Sequence, residues 1–217
     1  MSDNYAGEYD HLFSETPRVD VHPIDGIEYK CLEGRMDISK VNFWEKNPRV
    51  SLELEQKNNF DDISQDIIYD LMVNYDDTIS LQESITTQGG IQKPILVAVD
   101  PLTNNITAFD GNTRLTIAKK FFKINHKLAK QYIKAIFLID TRIDLELLEY
   151  AVANIHLDPT MNDWDSHKKA RFYWERVTQF LNDGTAKTSS TAAQKVASKF
   201  STGITKSVVE NAYKIVE

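Results

Sequence analysis

Asp110-Gly111-Asn112-Thr113-Arg114 is the stretch on which the fold turns. Ile106, Thr107, Ala108 and Phe109 in front of it have strand character, and Leu115, Ile117, Ala118, Phe121 and Phe122 behind it recur at helical spacing. The stretch is therefore expected to be a strand-to-helix turn, with the helix starting directly after Arg114. At such a junction the first backbone N–H groups of the helix have no intrahelical partner, and the helix dipole favours negative charge. A phosphate suits that geometry. Gly111 allows close approach to the backbone, Asn112 and Thr113 offer hydrogen bonds, and Arg114 adds a forked donor. The same residues also fit a capped helix whose Arg114 pairs with Asp110 or another acid, and the short string by itself does not choose between the two.

The charge distribution around the turn points to an anion. The chain has 217 residues and a net charge of -7, but residues 1–110 carry 8 basic and 21 acidic side chains while residues 111–142 carry 8 basic and 1 acidic. A basic centre in an acidic chain suggests a localised anion site. The bland alternative is that Lys119, Lys120, Lys123, Lys127, Lys130 and Lys134 are the wet faces of a helix and the turn after it. Cys31 is the single cysteine, which excludes internal disulfides and thiolate zinc sites, and five scattered histidines offer no metal-ligand spacing. No metal site is expected. With no apolar leader in the first twenty residues and no run of eighteen apolar residues, a cytoplasmic protein without a membrane partner is expected.

Outward from the turn, residues 1–35 are acidic, contain Pro17 and Pro23, and show no sustained period, so an extended acidic arm is expected, suited to a protein partner. Residues 38–44 suggest a short strand closed by Asn47-Pro48, residues 61–75 an amphipathic helix, and residues 80–88 a second helix ending at Gly89-Gly90. Residues 95–99 and 106–109 form two β segments around a turn at 100–105, and residues 132–139 form a buried strand. Phe121, Phe122 and Phe137 are expected in the core between helix and sheet. Helices follow at 144–156 and 165–182, separated by Asp158-Pro159, with Trp164 anchoring a helix start and Gly184 ending the second. Residues 191–216 fit two short helices around Ser201-Thr202-Gly203, a helix-turn-helix in outline. Hairpins of this kind are more often structural than DNA-binding.

Three segments extend the pattern. Asn47-Pro48-Arg49, then Leu81-Gln82-Glu83-Ser84-Ile85 with Gly90-Ile91-Gln92-Lys93-Pro94-Ile95-Leu96-Val97, then Asp110 through Leu115 to Ala118-Lys119, resemble the ParB/sulfiredoxin superfamily in order and spacing over residues 36–142. The turn is similar to that family's E-G-N-R-R subgroup. The resemblance implies an α+β class: a small mixed sheet with flanking helices over 36–142, followed by an all-α, helix-turn-helix-like region over 143–217. It further implies a nucleotide, commonly CTP, held by Gln92, Gly111, Asn112, Thr113 and Arg114. Ala153-Asn154-Ile155-His156-Leu157 resembles the family's continuation. There Asn154 matches, but Ala153 stands where the family's acidic magnesium ligand would be, which speaks against magnesium. Thr113 replaces the first arginine of the family's turn, and also the cysteine that sulfiredoxin chemistry requires.

The resulting expectation is a nucleotide-responsive DNA-binding protein. Lys195, Lys199, Lys206 and Lys214 would neutralise phosphates, and Thr205, Lys206 and Ser207 would face base edges. The alternative is an enzyme on the same fold, an NTPase, phosphotransferase or nuclease, using Asp110 beside the phosphate turn with a second carboxylate such as Glu83 or Asp158. The sequence leaves open which nucleotide is bound and whether the chain forms a homodimer.

Overall fold

The computed structural model describes residues 5–24, 26–51, 53–54, 64–157, 166–200 and 204–216. The chain divides into two compact units, Met1–Leu148 and Glu149–Glu217, where the sequence suggested a boundary at 142/143. Ile63, Asp158-Pro159, Trp164 and the Ser201-Thr202-Gly203 turn lie outside the described residues.

The first unit is α+β. Its strands are β1 (Arg18–Ile24), β2 (Ile27–Asp37), β3 (Asn42–Phe43), β4 (Ile95–Val99), β5 (Ile106–Asp110) and β6 (Tyr132–Leu138), in the order β1-β2-β6-β4-β5-β3. The sheet is mixed: β4 runs parallel to β6 and β3 parallel to β5, while the other pairs are antiparallel. β4 and β5 are joined by a tight turn in which Asp100 Oδ1 accepts from Leu102 N at 2.8 Å and Asn104 takes a left-handed φ of 56°.

The extended acidic arm expected over 1–35 is not what forms. A short helix α1 (Tyr5–Tyr9) precedes an antiparallel β1–β2 hairpin, and β2 pairs with β6 from Cys31↔Leu138 to Asp37↔Tyr132. Phe13 bridges to Met36 and packs close over Gly34, where an added Cβ would fall 2.8 Å from the ring. Cys31 is buried in β2, and burial pushes its thiol up to about 12, so it stays protonated at neutral pH. The strand expected at 38–44 is also largely replaced. Asp37 Oδ1 accepts from Ser39 N at 2.8 Å, which turns Ile38–Lys40 into a single 3-10 turn and leaves only Asn42–Phe43 as strand.

Helices α2 (Gln65–Val73), α3 (Asp76–Thr87) and α4 (Asn112–Lys123) belong to this unit, and α2 and α3 both pack on α4. α2 is capped by Ser64, whose side chain accepts from Ile67 N. α3 starts at Asp76 rather than at Ser80, since Asp76 and Asp77 suit a helix N-terminus. Ile68 and Met72 of α2, with Leu115 and Ala118 of α4, share a core with Leu32, Met36, Ile95, Val97, Ala108, Ile133 and Phe137 of the sheet. Ile85, Ile117 and Phe121 form a second cluster between α3 and α4. Phe122 is not core: it is 54% exposed.

In the second unit, α5 (Leu145–Leu157) crosses the division, followed by α6 (Ser166–Asn182), α7 (Ser189–Ser198) and α8 (Lys206–Val216). α6, α7 and α8 pack on one another. Phe200 sits among Tyr150, Phe172 and Tyr173 in edge-on contacts with centroids 5.4 to 6.1 Å apart. The Thr188 side chain caps α7 by accepting from Thr191 N. Glu149 and Arg176 form a buried ion pair in this unit.

Candidate phosphate-binding site

β5 ends at Asp110 and α4 begins at Asn112, with Gly111 between them as the residue that starts the helix, at φ 84° and ψ 21°. An L-residue rarely takes this left-handed conformation, and a Cβ here would lie 2.7 Å from Ile95 Cγ2. Glycine is thus required by the close approach of β4. Gly111, the residue before α4, has no side chain with which to cap its first turn. The N-terminal N–H groups of this twelve-residue helix and its positive dipole end sit at this turn.

The side chains of Asn112 and Thr113 point elsewhere. Asn112 is buried; its Oδ1 accepts from Trp44 N at 3.1 Å and its Nδ2 donates to Ala108 O at 2.8 Å. Thr113 Oγ1 accepts from Arg49 Nη1 at 2.7 Å. Both were expected to offer side-chain donors to a ligand or to cap the helix; instead they fasten α4 to the Trp44–Arg49 turn. Their contribution to an anion would come through backbone N–H groups. Arg114 follows the competing arrangement in part: its Nη2 lies 2.8 Å from Asp110 Oδ2, and its Nη1 donates to Pro94 O. Gln92 is exposed two residues before Pro94 and donates from Nε2 to Gly90 O at 3.4 Å.

The three quoted segments meet at this turn. Arg49 joins it through Thr113, the strand preceded by Gln92 through Pro94 and Ile95, and Asp110 to Arg114 form the turn itself. Arg49 was quoted in its motif without a role, yet its guanidinium reaches Thr113, the residue before Arg114. Its Asn47-Pro48 setting, in which Asn47 Oδ1 accepts from Arg49 N at 3.0 Å, was the available clue. Tyr75 supports the same corner, its hydroxyl 2.7 Å from both Arg49 O and Glu53 Oε1. Burial, then the Glu53 hydrogen bond, raise the Tyr75 phenol well above the ordinary tyrosine range, so it remains a neutral donor.

Asp110, the candidate base, faces the Arg114 guanidinium. Glu83 is exposed on α3, and Asp158 lies outside the described residues. Among the described residues no three His, Cys, Asp or Glu side chains gather in a metal-holding group. Asn154 belongs to α5 in the second unit, next to the buried Ala153.

The candidate nucleic-acid residues fall on α7, α8 and their connection. Lys195 is half-buried, Lys199 stands 5.7 Å from the Tyr150 ring, and Thr205 Oγ1 accepts from Val208 N at 3.4 Å at the start of α8. Lys206 is partly exposed and lies 3.5 Å from Glu210. Ser207, Asn211 and Lys214 are exposed on α8. Asn211 lies four residues after Ser207 on the same face of α8.

No protein-family model matches the chain, and no curated protein matches it. Among the described residues no helix is long and apolar enough to cross a membrane.

Proposed function

We propose that this chain is a ParB/sulfiredoxin-like protein that binds a nucleotide, CTP in the first instance, at the Asp110–Arg114 turn and DNA through α7 and α8. The observation that carries the nucleotide half is the meeting of Arg49 (through Thr113), Pro94 (through Arg114) and the Gly111–Arg114 turn at the start of α4. The Arg114 guanidinium and the first-turn N–H groups suit a phosphate. Binding would ask Arg114 to exchange Asp110 for phosphate or to hold both. Ala153 argues against a magnesium-dependent step. A general-base role for Asp110 has less support, since its carboxylate is engaged by Arg114 at 2.8 Å.

The DNA half rests on the packed α6–α8 unit, with Ser207, Asn211 and Lys214 on the outer face of α8. Asn211 can pair with an adenine edge, and Lys214 can neutralise a phosphate. Filter binding to duplex DNA at rising salt tests this. Affinity should fall with salt, and Lys214→Glu should weaken binding across all sequences and lower the salt slope by about one. An affinity indifferent to salt and to Lys214→Glu would remove DNA from the proposal.

A further inference from the structure

The outer face of α8 carries an exposed valine that its polar neighbours do not account for. At about 100° per residue, Lys214, Ser207, Asn211, Ile215 and Val208 fall in that order across about 120° of the helix surface. All of them are exposed, and the buried Val209 lies on the opposite side. Val208 is 48% exposed. It is three residues from Asn211, a spacing at which helical side chains are neighbours. It also belongs to the first turn, where its N–H donates to Thr205 Oγ1 at 3.4 Å. The described part of α8 has one acid, Glu210, and that acid is held elsewhere: it accepts from Ser190 of α7 and lies 3.5 Å from Lys206. The outer face thus combines a cation, an amide, a hydroxyl and two apolar side chains, with no carboxylate.

A second copy of the chain would cover Val208 and Ile215 only by burying Asn211 and Lys214 with them. Five side chains also fall far short of a stable interface, which takes about 20 to 30 residues a side. The major groove of a duplex suits this mixture better. Phosphate meets the lysine, an adenine edge takes the asparagine, and the thymine C5-methyl is the apolar group that a base presents there. First-turn residues of a helix laid in that groove are the ones that reach base edges. We propose that Val208 packs against a thymine methyl beside the adenine held by Asn211, in the same or the next base pair, so that α8 selects A·T-containing duplex DNA. Ile215 lies about 10 Å further along the axis and takes no part in that contact. The inference rests on the DNA reading of α7 and α8 and adds to it the residue that recognises thymine.

Fluorescence anisotropy of the full chain with three labelled duplexes of equal length tests it: alternating A·T, the same duplex with deoxyuridine for every thymidine, and alternating G·C. An alternating duplex places thymine on either side of every adenine, and the uracil form lacks only the methyl. The parent should bind A·T about fourfold tighter than its uracil form, the scale of one buried methyl group. Val208→Ala should erase that ratio, whereas Asn211→Ala should keep it and reduce the preference for A·T over G·C. Both residues are exposed, so both variants should melt like the parent. Equal binding of the thymine and uracil duplexes by the parent, or a ratio that survives Val208→Ala, would overturn the proposal. If binding then still falls with salt and with Lys214→Glu, the DNA reading itself stands; no salt-dependent binding to any duplex removes both. A Val208→Ala effect seen only as lost self-association in sedimentation would overturn the proposal in favour of a contact between copies.

Discussion

Gly111→Ala is expected to destabilise the first unit by about 2 to 4 kcal/mol, combining a strained left-handed backbone with overpacking. The strain follows from φ 84° at the start of α4. The overpacking follows from the 2.7 Å approach of the new Cβ to Ile95 Cγ2, a branch methyl of a fully buried strand residue that has no room to swing away. The Arg114 guanidinium, at 3.0 Å, can move more cheaply. Urea unfolding would register a lower midpoint with an unchanged slope. A loss under about 0.5 kcal/mol, the range of ordinary surface substitutions, would mean that β4 and the turn do not meet as described.

Arg176→Met should cost the second unit about 3 kcal/mol or more, the usual scale for removing one member of a buried ion pair. The side chains of Glu149 and Arg176 are only 4% and 11% exposed, and Arg176 also donates to Gln179 Oε1 at 2.9 Å and lies over the Phe172 ring. Removing the guanidinium leaves the Glu149 carboxylate buried without that cation. Changing both residues to methionine should recover much of the loss, because burial of charge is what the single variant exposes. Thermal unfolding of the two variants side by side distinguishes this from simple loss of packing, for which the double variant would be the worse.

The parts legible from residues alone were those governed by local rules. The Asp100 turn between β4 and β5, the change of period at Gly111 and the hydroxyl cap before α7 each sit within a few residues of their cause. The β1–β2 hairpin was missed for a non-local reason. In β2, Tyr29 and Cys31 are buried on one side of the strand and Leu32 and Met36 on the other, so no single alternation runs through it. Its pairing with β6 joins residues about a hundred positions apart, and strand preference depends on such neighbours. At the site, the string Asp110 to Arg114 located the junction but not its hydrogen bonds. Which partner Asn112 takes depends on Trp44, and which partner Thr113 takes depends on Arg49, both brought in from a distant turn. Phe122 was assigned to the core with Phe121, although adjacent helical positions point about 100° apart and only one can face α3.

Calorimetric titration of the full chain with ATP, CTP, GTP and UTP, each with and without magnesium and repeated with DNA present, bears most directly on the turn. Saturable binding of at least one nucleotide is predicted, with little dependence on magnesium. Arg114→Ala should weaken it about tenfold or more, as expected for loss of a hydrogen bond between charged groups. No saturable heat with any nucleotide, or binding unchanged by Arg114→Ala, would contradict a phosphate site at the start of α4.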